Sequence, residues 1–422
     1  MVEQPIEVDV QIAGRNVPVG RLWMHRHGRS ESATFSYRDD YLQRAESYEL
    51  DPGLPLQAGL HQTAVGQPLF GAMSDCAPDG WGRRLVRRAE AQRVRDAGTQ
   101  QRGLTEVDFL LGARDDLRQG ALRFRGHDGE RYLAVDTEGV PHLVGLPRLL
   151  NAAEELERDE PTSEDLRLLL HGGSSLGGAR PKAHVLDTAG RLSIAKFPSP
   201  QADEWDVIRW ECVALTLARD AGITVPEHEL HVIENRPVLV VRRFDRDANG
   251  RLGYSSAMSM LQAKDGEQAS YLEIGQVLEE RSSDAGEDLR ELWRRIVFTV
   301  LISNTDDHLR NHGFLRKSTA GWSLSPAFDL NPDPEGGAKQ LATAIDENNA
   351  EASLATALEV ADLFRVSEAE ARAIVGEVSD AIAHWRDVAR ASGLGGQQLE
   401  QLEPAFEHEQ SAAARELVAT RS

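Results

Sequence analysis

Three oxygen-bearing side chains in the last third of the chain have the types and order that phosphoryl transfer needs. Asp306 and Asn311 lie in the segment VLISNTDDHLRNHGFL, and Asp329 follows in LSPAFDLNP. A carboxylate can orient and deprotonate a hydroxyl group, while an amide oxygen and a second carboxylate are the hard ligands that Mg²⁺ prefers. The pattern therefore indicates magnesium-assisted transfer of a phosphoryl group.

Two other interpretations of this segment stay open. Asp307 and His308 would suit a metal-dependent hydrolase with Asp and His ligands, but no second histidine cluster has a spacing that completes such a site. An Asx turn would explain any one of the three acceptors. It does not readily explain all three together with a lysine upstream.

A glycine-rich segment, HGGSSLGGARPKA, covers residues 171–183. Its four glycines allow the backbone to turn its N–H groups towards an anion and to approach phosphates closely. The order of residues differs from a Walker A loop, and a plain turn is the commoner explanation for such a segment alone. Its assignment as a phosphate-binding loop depends on the residues that follow it.

Lys196 and Glu211 could form the charged pair that aims an ammonium group at ATP phosphates. Lys196 lies in the apolar strand segment LSIAKF, and Glu211 shares a helix face with Ile208, Cys212 and Leu215. A glutamate on such a face is costly to bury unless a cation meets it. A structural ion pair explains the two residues equally well.

The segment PVLVVRRFDR, residues 237–246, is an apolar strand that ends in charged residues. It could be a hinge between two lobes, with backbone groups facing adenine and Phe244 packed nearby. An ordinary buried strand with a salt-bridged end accounts for the composition equally well.

The elements that position these residues change in character along the chain. Alternating strand patterns in EVDVQIAG, VPVGRLWM, QGALRFR and RYLAVD, with helices between them, predict a β-rich subdomain over residues 1–150. Residues 151–250 read as a mixed α/β lobe and residues 251–422 as a helical lobe, with capping-box signals at Thr105 and Ser367. We therefore predict an α+β fold with two lobes.

Composition limits the kind of partner. The 422 residues exceed what one hydrophobic core usually supports, and the net charge of −21 disfavours a protein that binds nucleic acid through its own surface. The two cysteines are far apart and favour a reducing compartment. With no targeting or membrane-spanning pattern, the sequence predicts a soluble cytoplasmic protein without a membrane partner.

Taken in order, these motifs resemble those of the HipA family of serine/threonine kinases, through most of the chain. The amino-terminal pieces VGRL, FSYRDDYL and LPL are similar to the family's small β-rich subdomain. The other motifs resemble its phosphate loop, lysine strand, glutamate helix, hinge, catalytic segment and metal segment: SLGGARPKA, IAKF, WECVALTLARDAGI, VVRRFDR, NTDDHLRN and AFDLNP. The resemblance implies a two-lobed, protein-kinase-like fold of HipA type.

The resemblance also implies a role for each site residue. Asp306 would be the catalytic base, and Asn311 and Asp329 would bind Mg²⁺. Contacts to ATP would come from a larger set: Ser175, Gly177, Gly178, Lys182, Lys196, Glu211, Arg242, Arg243, Phe244, His308 and Asp329. In the family a serine of the phosphate loop is autophosphorylated and the kinase is switched off; by position this is Ser175, with Ser174 a close second. A phosphate there would add about two negative charges where ATP phosphates bind.

The family's biology gives the remaining expectations. ATP and Mg²⁺ would be cofactors, and the protein would be the toxin of a type II toxin–antitoxin system, causing growth arrest and persistence. Its partners would be a helix-turn-helix antitoxin, through which DNA is mainly contacted, and a protein substrate such as an aminoacyl-tRNA synthetase. The alternatives are a catalytically retired antitoxin-binding co-repressor and a small-molecule kinase of the same fold.

Overall fold

The computed structural model describes residues 4–28, 30–100, 103–127, 129, 131–135, 139–173, 178–347 and 349–419. The chain divides into two compact units. The first comprises Met1–Ala202, Ile233–Ser255 and Leu315–Thr319, and the second comprises Asp203–Val232, Ser256–Phe314 and Ala320–Ser422. Within the described residues, no helix combines the length and the apolar character that crossing a membrane requires.

The described strands are β1 (Ile6–Ile12), β2 (Arg15–His27), β3 (Ser30–Tyr37), β4 (His61–Gln62), β5 (Leu122–Arg125), β6 (Lys182–Leu186), β7 (Leu192–Lys196), β8 (His228–Ile233), β9 (Arg236–Arg242), β10 (Arg246–Asp247), β11 (Gly250–Arg251), β12 (Gly253–Ser256), β13 (Ala269–Ser270), β14 (Gly313–Ser318), β15 (Gly321–Leu324) and β16 (Thr343–Ala344). The described helices are α1 (Asp39–Leu42), α2 (Gly71–Ser74), α3 (Gly80–Ala97), α4 (Glu106–Gly112), α5 (Leu146–Glu157), α6 (Ser163–Gly173), α7 (Val207–Asp220), α8 (Ala257–Met260), α9 (Tyr271–Arg281), α10 (Ala285–Leu301), α11 (Leu354–Glu359), α12 (Glu368–Ala383), α13 (Trp385–Ala391), α14 (Gln397–Phe406) and α15 (Glu409–Ala419). Three short 3₁₀ helices cover Leu143–Gly145, Leu309–Asn311 and Ala361–Phe364.

An antiparallel sheet with the order β4-β3-β2-β1-β5 opens the first unit. The hairpin between β1 and β2 pairs Ile12 with Arg15 across Ala13 and Gly14, which both have positive φ angles, of 47° and 77°. That turn geometry matches the twist of the two strands. The strands predicted from alternation in EVDVQIAG and VPVGRLWM are confirmed.

Strands β6, β7 and β9 of the first unit are consecutive antiparallel neighbours in a second sheet. Helices α3, α5 and α6 pack on it, and their apolar faces form one core with the sheet. Buried members of this core include Trp81, Leu85, Leu149, Leu156, Leu169, Val185, Phe197 and Val238. The core joins a helix from the first hundred residues to the strands that carry the predicted lysines.

The second unit is mainly helical, and α10 lies at its centre. This helix packs against α9, α11, α12 and α15, and its apolar positions are buried as its sequence period predicts. The capping box at Ser367 begins α12, as predicted, and another at Ser270 begins α9. Helix α10 ends at Leu301, immediately before the predicted catalytic segment.

Two details differ from the sequence-based prediction. RYLAVD was expected to be a strand, but its described residues, 131–135, make only an isolated bridge at Tyr132. Gly172 and Gly173 were assigned to a loop, yet they form the end of α6. A Cβ on Gly172 would lie 3.2 Å from the Cβ of Ala183, so close packing of helix on strand explains the glycine there.

Candidate active site

The predicted catalytic segment folds back on itself directly after α10. The backbone N–H of His308 donates to the carbonyl of Asp306 at 2.9 Å, and that of Asn311 donates to the carbonyl of His308 at 2.8 Å. The side-chain nitrogen of Asn311 also donates to the carbonyl of Asp306, at 3.2 Å. This bond engages the amide nitrogen, so the amide oxygen is the atom suited to a metal ion.

The two adjacent aspartates of this segment have opposite environments. The side chain of Asp306 is exposed, whereas that of Asp307 is buried. Tyr271 donates a hydrogen bond to Oδ2 of Asp307, Thr299 lies 3.5 Å from the same oxygen, and Nε2 of His312 lies 3.2 Å from it. Asp307 therefore anchors the segment, and Asp306 is the carboxylate that a substrate can reach.

The charge of Asp307 is maintained although it is buried. Burial alone would raise the pKa of this carboxyl, but the nearby imidazole of His312 and the hydrogen bond from Tyr271 hold the pKa below its ordinary value. Burial and the neighbouring Asp307 raise the pKa of Tyr271 well above its ordinary value, so this phenol remains a donor. The anchor is an ionised carboxylate with a neutral phenol.

The segment that carries Asp329 is tied to the residues after α10. The side-chain oxygen of Asn304 accepts from the backbone N–H of Asn331 at 3.3 Å, and the N–H of Asp333 donates to the carbonyl of Ser303 at 3.1 Å. Asp329 itself has a φ of 59°, in the left-handed region that a residue with a side chain occupies at a cost. Such backbone strain is concentrated at functional sites.

A small cavity of about 10 Å³, room for about one water molecule, connects the catalytic and metal segments. Its lining includes Asp307, Asn311 and His312 from one segment and Ala327, Phe328 and Leu330 from the other. The structure thus brings Asn311 and the residues that flank Asp329 to the same place. An amide oxygen and a carboxylate fit Mg²⁺, which keeps several water ligands and needs few protein ligands.

The two predicted phosphate-binding lysines are direct neighbours. Lys182 of β6 and Lys196 of β7 are paired residues in the antiparallel register, so their side chains lie on the same face of the sheet. A Cβ on Gly178 would lie 2.6 Å from Nζ of Lys182, and Gly178 has a φ of 74°. The ammonium group of Lys182 therefore lies against the backbone of the glycine-rich segment.

The predicted hinge residues follow β9. Arg243 is buried, and its Nε donates to Oδ1 of Asp245 at 2.8 Å while NH1 donates to Nε2 of His184 at 2.7 Å. The ring of Phe244 lies 6.4 Å from that of Tyr254. The guanidinium of Arg243 thus has a structural role inside the first unit.

Some predicted site residues are not brought together by these observations. Ser174, Ser175 and Gly177 lie outside the described residues. Lys196 belongs to the first unit, while Glu211, buried on α7, belongs to the second. Their ion pair stays a prediction, as do the adenine contacts of Arg242 and the ATP contact of His308.

Several residues of the site were missed by the sequence analysis. Tyr271 precedes Asp307 by 36 residues, and Thr343, which donates to the carbonyl of Asp307 at 2.6 Å, follows it by 36. No spacing rule connects residues so far apart. The pairing of Lys182 with Lys196 did have a signal, because the short turn from Asp187 to Arg191 sets the register of its hairpin.

Comparison with known proteins agrees with this description. The kinase candidate Y4mE of Sinorhizobium fredii is 26% identical over 351 residues, 74% of this chain and 74% of the relative. The kinase candidate Y4dM of the same organism is 32% identical and covers 32% of this chain and 36% of its own length. A kinase candidate of Haemophilus influenzae is 25% identical over a match that covers 39% of this chain and 54% of the relative. The chain thus matches about a third of Y4dM and about half of the Haemophilus protein.

Among solved structures, a chain from the complex of the Shewanella oneidensis MR-1 toxin–antitoxin proteins HipA and HipB with operator DNA has a TM-score of 0.64. The sequence identity is 14%, and the match covers 98% of this chain and 96% of that one. This likeness shows the fold and confirms the expected α+β architecture of HipA type. The model of the HipA-like C-terminal domain matches residues 174–385. Because this match spans half of the chain, the protein belongs to the HipA-like family.

Proposed function

We propose that the protein is an ATP- and Mg²⁺-dependent serine/threonine-protein kinase. The observation that carries the proposal is the pairing of Lys182 with Lys196 across two strands, beside the backbone of Gly178. Two ammonium groups on one face of a sheet, next to glycine backbone, provide charge-assisted hydrogen-bond donors for a polyanion. The triphosphate of ATP is such an anion.

The residues of the second unit supply the rest of the chemistry. Asp306 would accept the proton of the attacking hydroxyl, since its carboxylate is exposed while Asp307 is engaged by Tyr271. Asn311 and Asp329 would bind Mg²⁺, which neutralises charge on the phosphates. Lys196, with Glu211, would orient the phosphates, and the backbone of Arg242 to Phe244 would meet adenine.

The biological role is proposed on the family and its fold. The solved relative is bound to the antitoxin HipB and to operator DNA. We infer a comparable helix-turn-helix antitoxin for this chain, with DNA contacted mainly through it, and a toxin role in which a cellular protein is phosphorylated. An aminoacyl-tRNA synthetase is the proposed target class, and autophosphorylation at Ser175 or Ser174 is the proposed off switch.

Transfer of radiolabelled phosphate tests the kinase activity. The purified full chain, incubated with γ-labelled ATP and Mg²⁺, is expected to label serine in itself or in added protein, and chelation of Mg²⁺ should stop it. Asp306→Asn is the inactive control. A wild type as silent as Asp306→Asn would contradict the proposal and favour a co-repressor. Label found only in small molecules, with growth unaffected by expression, would favour a small-molecule kinase.

A further inference from the structure

Two short stretches of the glycine-rich segment, His171–Gly173 and Gly178–Lys182, are held by hydrogen bonds from other parts of the first unit. We call these bonds the stem contacts. Four backbone carbonyls accept these bonds. Arg114 donates to the carbonyl of His171, and His184 donates to that of Gly172. Trp81 donates from its backbone N–H to Gly178 and from its indole to Lys182.

Trp81 alone makes two of the four stem contacts. Its backbone N–H donates to Gly178 at 2.8 Å, and Nε1 donates to Lys182 at 2.9 Å. The first N–H groups of a helix have no partner within it, so the carbonyl of Gly178 satisfies one such group at the start of α3. Trp81 is also buried in the core that α3 shares with the sheet. One residue thus fixes the backbone at both ends of Gly178–Lys182, through its backbone N–H at Gly178 and its indole at Lys182.

The first residue of α3, Gly80, lies so close to Gly178 that it has no room for a side chain. A Cβ on Gly80, which has a φ of 21°, would lie 2.5 Å from the carbonyl oxygen of Gly178. A real Cβ cannot occupy that position, so any side chain at residue 80 would displace the backbone of Gly178. The ammonium group of Lys182 lies over that same glycine.

The opposite flank is held equally firmly. NH1 of Arg114, a buried residue, donates to the carbonyl of His171 at 2.6 Å. His184 accepts from Arg243 at Nε2, so its proton is on Nδ1, which lies 2.9 Å from the carbonyl of Gly172. The backbones of His171–Gly173 and Gly178–Lys182 are therefore both held in place. Three of the four stem contacts come from Trp81 and Arg114.

We propose that Trp81 is a positioning residue for phosphate binding: it acts through Gly178 and Lys182 and sets the affinity of the site for ATP. The inference rests on the proposed kinase function and extends it to a region outside the matched family domain, which begins at residue 174. Binding a ligand to a site that must first be ordered loses affinity in proportion to the cost of ordering. Loss of the stem contacts weakens ATP binding more than the chemical step.

Trp81→Phe in the full chain tests this, because phenylalanine keeps an aromatic ring in the core and removes the Nε1 donor, with a loss of ring volume that the Trp293→Phe control shares. Loss of one such bond corresponds to about a 3- to 10-fold rise in KM for ATP, and kcat should stay within about twofold. Trp293→Phe is the matched control: its indole is equally buried and donates to the carbonyl of Ala357 at 2.8 Å, remote in sequence from the glycine-rich segment. This control should lose stability and keep its KM.

A second pair of variants separates displacement of Gly178 from general backbone strain. Gly80→Ala and Gly98→Ala both place alanine at a positive φ, at the two ends of α3, but a Cβ on Gly98 meets nothing within 4 Å. Only Gly80→Ala should raise KM for ATP, and hydrogen exchange of the amides of residues 178–183 should become faster in Gly80→Ala and Trp81→Phe alone. A wild type without ATP binding would overturn the kinase proposal itself. An active wild type with unchanged KM and unchanged exchange in both variants would overturn the role of Trp81 alone.

Discussion

The phenol of Tyr271 donates a hydrogen bond to the carboxylate of Asp307, a buried residue directly beside the proposed catalytic base. Tyr271 is the first residue of α9, whereas Asp307 follows α10, so the bond joins the catalytic segment to a separate helix. The ring of His312 packs edge-on against Tyr271 at 5.4 Å between centroids. Asp306 and Asn311 are each the direct neighbour of a residue in this buried cluster.

Tyr271→Phe should destabilise the second unit by about 1–3 kcal/mol, because it leaves a buried carboxylate with one donor fewer. Urea unfolding followed by fluorescence measures this. Tyr132→Phe is the matched control, since its hydroxyl also donates to a carboxylate, Asp9 at 2.8 Å, but from a partly exposed position. It should cost less than about 1 kcal/mol. Equal losses in the two variants would contradict an anchoring role for Tyr271.

The two neighbouring aspartates should respond oppositely to the same substitution. Asp306→Asn removes an exposed carboxylate, so stability should change by less than about 0.5 kcal/mol. Phosphate transfer should fall by about 10²- to 10⁴-fold, the usual contribution of a general base. Asp307→Asn removes the buried charge that Tyr271 and His312 contact, and it should lower the unfolding free energy by about 1–3 kcal/mol. Rates of phosphate labelling and urea midpoints of both variants test these assignments. If Asp307→Asn lost activity without losing stability, Asp307 would be the catalytic carboxylate and not the structural anchor.

What the sequence could predict was decided by local patterns. Alternation identified β1 and β2, and the capping-box signal at Ser367 identified the start of α12, because side chains a few residues apart determine those patterns. The choice between Asp306 and Asp307 as the exposed carboxylate needed chemical analogy, since the burial of Asp307 depends on residues on α9 and α10. The sequence did not predict that Gly172 and Gly173 are helical, because their conformation depends on packing against β6. Glycine content alone does not reveal such packing.

Because the backbone of Asp329 is strained, substitutions of this residue should affect stability and activity differently. Glycine adopts positive φ without the steric cost that other residues have, so Asp329→Gly should leave stability unchanged or raise it by up to about 1 kcal/mol. Asp329→Ala should lower stability by about 1 kcal/mol, because alanine has neither freedom at that φ nor a polar side chain. Both variants should lose Mg²⁺-dependent transfer. Thermal unfolding measures the predicted order of stability, with Asp329→Gly at or above the wild type and Asp329→Ala below it, and labelling assays measure transfer. Activity in either variant would show that Asp329 is not a metal ligand.

The buried carboxylate of Asp245 should make the first unit sensitive to acid. Burial would raise the pKa of Asp245, but Arg243, Arg246 and the backbone N–H of Gly120 hold it well below its ordinary value. A carboxyl whose pKa is lower in the folded state contributes stability above its unfolded pKa, about 4, and loses it as pH falls further. Asp245→Asn removes this contribution and leaves the buried Arg243 and the partly buried Arg246 without their carboxylate partner.

We therefore expect Asp245→Asn to cost roughly 3–5 kcal/mol at pH 7, the range for breaking a buried ion pair from one side. Between pH 4 and pH 2 the variant should lose less stability than the wild type, so that the difference between them narrows. Asp247→Asn, the same change at an exposed position two residues away, should alter stability by less than about 0.5 kcal/mol at either pH. Urea unfolding at a series of pH values measures all three proteins, and parallel curves for wild type and Asp245→Asn would show that folding does not lower the pKa of Asp245.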